Sequence, residues 1–159
     1  MSPDDTALTF GPFRVDAAGG LAPIEPAAPP RFTFRWRDRL VHASLQEGEV
    51  PAGSLRLRAQ LGRVPSSALP PEAARRPQSF TLLRSLPATL PRDWRVGLTP
   101  DHRVVLEAEC HVALPITATG LVGEVTGFLL RLAPYLDVLD EVGLATSPEA
   151  AGRVNTCPG

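Results

Sequence analysis

Residue types that could perform chemistry are few in this chain and occur in two short stretches. Cys110 and His111 are adjacent, and a cysteine beside a histidine can form a thiolate–imidazole pair. Successive residues of a strand point to opposite faces, so Cys110 and His111 cannot face each other if this stretch is a strand. Asp101 and His102 follow a proline, where an aspartate serves the backbone of a turn. We therefore interpret Cys110 as a core residue and predict that the chain is not an enzyme.

The sequence has no recognisable metal or cofactor motif. Its two cysteines, Cys110 and Cys157, make neither a disulfide framework nor a zinc spacing. It has no Walker loop, dinucleotide-binding loop or nucleophile elbow. We predict that it binds no metal and no organic cofactor. The low cysteine content and the absence of an N-terminal basic stretch followed by an apolar run favour a cytoplasmic location.

Arginines alternate with apolar residues in the segments RFTFRWR and LRLRAQL. This period places the arginines on one face of a strand and the apolar residues on the other. One interpretation is a basic patch for an acidic partner, formed by Arg35, Arg37, Arg56 and Arg58. The other is a solvated sheet face on which they pair with Glu107 and Glu109. Nucleic acid is not an expected partner, because the net charge is −1 and base stacking needs aromatic and basic groups on one surface.

Hydrophobic periodicity predicts five strands and two helices around these residues. Period-2 alternation indicates strands in residues 31–37, 55–61, 94–98 and 104–112, and helical periodicity covers residues 77–86 and 119–142. Residues 40–45 are predicted to be the return strand of the first hairpin, after a turn at Arg37 and Asp38. We expect Pro87 and Pro91 to end the first helix, Thr119 to cap the second and Gly143 to end it. Short strands joined by tight turns predict an α+β fold with an antiparallel five-stranded sheet and both helices packed on one face.

The 18 prolines lie mostly outside the periodic segments. We expect a Pro-rich, partly ordered segment over residues 1–30, a single α+β domain over residues 31–145 and a flexible tail over residues 146–159. All 16 basic residues are arginine, which indicates a GC-rich and, we expect, bacterial genome.

The predicted long helix is apolar beyond the one stripe that a sheet would cover. The additional apolar and small residues are Val122, Gly123, Gly127, Leu130, Tyr135 and Val138. Surplus apolar surface marks an interaction site, so we predict a homodimer. The alternative is that residues 1–30 cover this surface, and the glycines fit either packing within the chain or a dimer interface. A membrane span is rejected, because Glu124 and Arg131 would lie near the bilayer core.

Residues 79–144 carry a resemblance to a known superfamily. The parts are SFTLLRSLP, then WRVGLTPDHRVVLEAEC, then TGLVGEVTGFLLRLAPYLDVLDEVGL. This succession of helix, proline break, two strands and long terminal helix resembles the type III secretion chaperone-like superfamily, which includes bacterial sensory-regulator-like proteins. The resemblance implies a five-stranded antiparallel sheet packed by helices. Members usually open with an amphipathic helix, and here a Pro-rich segment occupies that place.

Three functional hypotheses follow. The first is a non-catalytic protein-binding module, a homodimeric chaperone or adaptor whose partner is another protein. The second is a small-molecule or regulatory sensor domain, which needs a closed apolar pocket with a few convergent polar groups. The third is an enzyme, which would be favoured by a cleft holding His42, His102 or His111 beside a carboxylate.

Overall fold

The computed structural model describes residues 8–48 and 51–144, which form two antiparallel sheets and three helices. The strands are β1 (Thr9–Phe10), β2 (Phe13–Val15), β3 (Leu21–Pro23), β4 (Arg31–Trp36), β5 (Arg39–Glu47), β6 (Ala52–Arg63), β7 (Trp94–Leu98) and β8 (Arg103–Ala113), and the helices are α1 (Pro70–Ala73), α2 (Arg76–Thr89) and α3 (Ala118–Glu141). The five-stranded sheet has the order β4-β5-β6-β8-β7. The predicted α+β class and five-stranded antiparallel sheet are confirmed.

One face of the five-stranded sheet is apolar and carries the core. Residues paired across neighbouring strands share a face, and Ala43 is paired with Phe32 on one side and Leu57 on the other. Leu57 pairs with Ala108, which pairs with Trp94. The buried cluster on this face also contains Leu86 of α2 and Leu121, Phe128, Leu132, Leu136 and Leu139 of α3. Both long helices therefore pack against the apolar face of the sheet.

The ends of α3 are fixed by caps. Thr117 is the N-cap, and its hydroxyl accepts a hydrogen bond from the backbone N–H of Gly120 at 3.0 Å. The cap therefore lies two residues before the predicted one at Thr119, and the helix begins at Ala118. Gly143 adopts a φ of 73°, the left-handed conformation that commonly ends helices, as predicted.

The prolines inside the helices do not end them. Pro87 lies within α2, which continues to Thr89, so the predicted stop at Pro87 is wrong. A proline removes one N–H donor, and the turn is held by other contacts: Leu86 is buried, and its carbonyl accepts from Leu90 N–H at 3.2 Å. Pro134 likewise lies within α3.

The N-terminal segment joins the same core through β1, β2 and β3. Phe13 is 1% exposed and packs edge-on against Phe32 of β4, with ring centroids 6.4 Å apart. Gly20 pairs with Thr117 at the start of α3. Residues 8–30 are therefore an ordered part of the domain. The tail expected over residues 146–159 lies outside the described residues.

Candidate functional site

The outward face of α3 is the first candidate surface. Leu130 is 68% exposed, Val122 is 50% exposed and Val138 is 42% exposed. From Thr119 to Pro134, the face opposite the buried stripe carries no charge and contains Thr119, Gly123, Thr126, Gly127, Leu130 and Pro134. Asp137 and Glu141 follow on the same face in the last two turns. An exposed helix face in a soluble domain is normally charged or polar, so this face has the character of an interaction surface.

Two of the helix glycines lie in open space. A side chain added at Gly123 or Gly127 would meet no atom of the described chain within 4 Å. Close packing within the described chain therefore does not explain these glycines, each of which weakens a helix by about 1 kcal/mol relative to alanine. Gly120 is different, because an added Cβ would lie 3.2 Å from Thr117 Oγ1 in the capping turn.

Tyr135 does not belong to this exposed face. Its hydroxyl donates a hydrogen bond to the carbonyl of Thr89 at 2.7 Å, and its ring lies 6.0 Å from that of Trp94. Tyr135 therefore links α3 to the end of α2 and to β7. The other five residues predicted for the partner or dimer surface remain on the outward side of α3 or at its edges.

The polar face of the five-stranded sheet is the second candidate surface. It forms an open groove of about 940 Å³ on the side away from α3. Strand pairing places Thr33, His42, Arg58, Glu107 and Arg95 in one row across the five strands. The neighbouring row contains Arg31, Ser44, Arg56 and Glu109. We call this surface the open-face groove.

Two of the four predicted patch arginines pair with the predicted acids. Arg56 Nε lies 3.6 Å from Glu109 Oε1, and Arg58 Nε lies 3.5 Å from Glu107 Oε1. All four side chains are largely exposed, so each pair stabilises the fold by less than about 1 kcal/mol. At the centre of the groove the arginines are therefore paired with acids on a solvated sheet face, which was the second of the two interpretations of the sequence.

The other two patch arginines separate. Arg35 is exposed on the same sheet face, one row from Thr33, at the end of β4. Arg37 adopts a φ of 48° in the two-residue turn to β5 and reaches Asp137 of α3 at 2.6 Å. The left-handed turn interrupts the strand alternation, so Arg37 lies with the core-side elements and not in the groove.

Three arginines of the groove were not predicted: Arg31, Arg92 and Arg95. A signal for two of them was present in the sequence. Arg31 has the same strand parity as Arg35, and Arg95 lies between the inward-facing Trp94 and Val96 of the next hairpin. Their location on one surface, at its two opposite edges, follows from the strand order, which the sequence pattern did not provide.

The lining of the groove also contains His42 and His111, together with Glu107 and Glu109. His42 Nδ1 is 3.1 Å from the Thr33 hydroxyl. A hydrogen bond from Ser54, with the positive charge of Arg56, holds the pKa of Glu109 below its usual range. A carboxylate with a lowered pKa is a weak general base near neutral pH. Glu109 is therefore poorly suited to act as a general base.

Cys110 lies on the apolar side of its strand, whereas His111 lies on the open face. Burial, followed by the negative charge of Glu124, raises the pKa of the Cys110 thiol. A thiol with a raised pKa is a poor nucleophile, because the thiolate is the reactive form. The geometry agrees with the interpretation of Cys110 as a core residue.

This environment predicts slow modification of Cys110. In a Cys157→Ala variant, we expect the native protein to react with Ellman's reagent at pH 7.5 markedly more slowly than the same protein unfolded in guanidinium. The rate should continue to rise above the ordinary thiol pKa. Equal rates in the folded and unfolded protein would contradict the assignment.

Within residues 8–48 and 51–144, no group of three or more histidine, cysteine or acidic side chains is arranged to hold a metal ion. In the same part of the chain, no helix is long and apolar enough to cross a membrane. Comparisons with protein-family models, curated proteins and solved structures found no match to this chain.

Proposed function

We propose that this chain is a non-catalytic protein-binding module that forms a homodimer through the outward face of α3. The observation that supports the proposal is the uncharged stripe from Thr119 to Pro134, in which Gly123 and Gly127 face open space beside the exposed Leu130. Small residues let two helix backbones approach closely, and a large apolar residue on one helix can then fill the space above a glycine on the other.

A second copy of the chain is the occupant that the charge pattern favours. Glu124 and Arg131 lie on the same flank of α3, two helical turns apart. In an antiparallel pair related by a two-fold axis, Glu124 of one copy lies near Arg131 of the other, and the contact occurs twice. The same spacing places Leu130 of one copy near Gly123 of the other. The flanking charges and the central apolar contacts are therefore self-complementary.

The oppositely charged segments of the sequence give no separate support for a dimer. Residues 31–63 and 101–150 are positive and negative, respectively, and they meet within one chain. Arg37 and Arg39 contact Asp140 of α3, and Arg56 and Arg58 pair with β8. The dimer proposal therefore rests on α3 alone.

Leu130→Glu should convert a dimer into a monomer. The side chain is exposed in one copy, so the substitution leaves the monomer fold intact, whereas in the interface it places a charge against apolar surface. Mass measured by light scattering after size exclusion, at micromolar concentrations, checks this. The matched control is Leu69→Glu, an exposed leucine beside α1, which should leave the mass unchanged.

A charge exchange tests the proposed geometry. Glu124→Arg and Arg131→Glu should each weaken the dimer, and the two together should restore it, because the symmetric pairs are re-formed with opposite sign. A wild-type protein that is monomeric across micromolar concentrations would contradict self-association. A dimer that survives Leu130→Glu would place the interface elsewhere.

The resemblance to type III secretion chaperone-like proteins supports a chaperone or adaptor role in a bacterial cytoplasm as the wider setting. The sensor alternative is less supported, because the groove in the described chain is polar and open, whereas such a domain needs an enclosed apolar pocket. Co-purification from the native host with mass spectrometry would identify a partner and distinguish these roles.

A further inference from the structure

We infer that the open-face groove binds an extended acidic peptide segment of a partner protein, with carboxylates at both ends of the bound stretch. The inference rests on the proposed binding function, for which it names a partner chemistry. It uses the sheet face opposite α3, so self-association and peptide binding occupy different surfaces.

The charges of the groove are unbalanced. Its lining contains five arginines and three acids, an excess of two positive charges with neutral histidines. Glu107 and Glu109 are already engaged by Arg58 and Arg56 in the centre. The remaining arginines make no ion pair with the described residues, and they are Arg31 on β4 and Arg92 and Arg95 at the β7 side. The third acid, Asp93, lies between Arg92 and Arg95 at the β7 end, so the excess positive charge is divided between the two ends, one charge at each.

The separation of these ends sets the size of the ligand. From β4 to β7 the groove crosses four strand spacings of about 4.8 Å, or roughly 19 Å. An extended chain advances about 3.3 Å per residue, so about six residues cover this span. A single small anion reaches one end only. A peptide with acidic residues about six positions apart reaches both.

The side chains suit a carboxylate-bearing peptide. Arginine presents a planar fork of donors that binds a carboxylate through two parallel hydrogen bonds. Beside the β4 end, Thr33, His42 and Ser44 supply polar groups that can hydrogen-bond the peptide backbone. The groove is open to solvent along its length, whereas small-molecule sites enclose most of the ligand surface, and this shape also favours a polypeptide.

The test compares two labelled peptides of about ten residues by fluorescence anisotropy. One has two glutamates at each end and a glycine–serine middle, and the other has the same composition with all four glutamates in the middle. We expect the first to bind more tightly, because only its carboxylates reach both ends. Arg31→Ala and Arg95→Ala should each weaken its binding about fivefold. The matched control is Arg84→Ala, an exposed arginine on α2, which should have no effect.

Three results would overturn the inference. Equal affinity for the two peptides would show that charge alone attracts them. The same conclusion would follow if Arg84→Ala weakened peptide binding as much as Arg31→Ala and Arg95→Ala do. Tighter binding of a single-stranded oligonucleotide of equal charge would identify a different class of partner. Repeating the titration with Leu130→Glu separates the two proposals, because peptide binding should persist when self-association is lost.

Discussion

Phe13→Ala should destabilise the protein by about 3–5 kcal/mol, because the substitution removes a fully buried ring from the core. The ring packs edge-on against Phe32 and belongs to the cluster that also contains the buried residues of the sheet and α3. Urea unfolding followed by circular dichroism checks this, and the midpoint should fall while the slope stays the same.

Phe10→Ala is the matched control for this prediction. Phe10 lies three residues away in the same small sheet, but its side chain is 44% exposed. Its loss should change stability by only about 0.5 kcal/mol. Equal effects of the two substitutions would contradict the packing of β1, β2 and β3 against the domain. By the same argument, deletion of residues 1–30 should destabilise the protein, since it removes both Phe13 and Leu21 from the core.

The strands of the N-terminal sheet are too short to be predicted from hydrophobic alternation in the sequence. Its strands have two or three residues, which is below the length at which alternation can be distinguished from chance. Its order depends on contacts with distant residues, such as the pairing of Gly20 with Thr117. The Pro-rich composition of this segment predicted only partial order, whereas in the structure its Phe13 and Leu21 are buried in the core.

The main sheet was predictable because its strands are long and alternate cleanly. In the hairpin of β7 and β8, Trp94 and Val96 alternate with exposed residues and pair with the buried Ala108 and Leu106. Asp101 and His102 occupy the turn, with His102 at a φ of 63°. The pairing of β6 with β8 was not predictable in the same way. These strands are separated by α1, α2 and β7, and no local signal specifies which edge of the first three strands the last hairpin joins.

For the candidate surfaces, too, local periodicity predicted some of the residues, and contacts between distant segments determined the others. The exposed residues of α3 follow from helical periodicity, and all but Tyr135 lie on its outward face or at its edges. Tyr135 is turned inward because its hydroxyl donates a hydrogen bond to the carbonyl of Thr89 in α2, and the periodicity of α3 alone cannot predict this contact. The arginines of the groove come from three different hairpin segments, and only the strand order brings Arg31 and Arg95 onto one surface.

Arg39→Ala should destabilise the protein by about 3 kcal/mol, although arginine is ordinarily a surface residue. The side chain is 4% exposed and shares the core face of β5 with Val41. Its Nε donates to the Leu61 carbonyl at 2.8 Å, and its guanidinium also bonds to Asp140 of α3. Removing it leaves the Leu61 carbonyl without this donor and Asp140 without its close cation at the negative end of the helix.

Arg39 and its neighbour Arg37 explain why the acidic C-terminal end of α3 is tolerated. Asp137 and Asp140 lie near the C-terminus of the helix, where the helix dipole disfavours negative charge. Arg37 in the β4–β5 turn and Arg39 at the start of β5 lie against them and offset this cost. The turn and the helix end, about a hundred residues apart in the sequence, therefore stabilise each other.

Arg58→Ala is the matched control, because Arg58 also pairs with an acid but is 53% exposed. Its loss should cost less than about 1 kcal/mol in the same urea experiment. A double-mutant cycle of Arg39→Met and Asp140→Ala should show that the two changes together cost less than the sum of the single changes, since each alone leaves the other group without its partner. Additive effects, or an Arg39→Ala variant as stable as Arg58→Ala, would contradict the role assigned to the buried guanidinium.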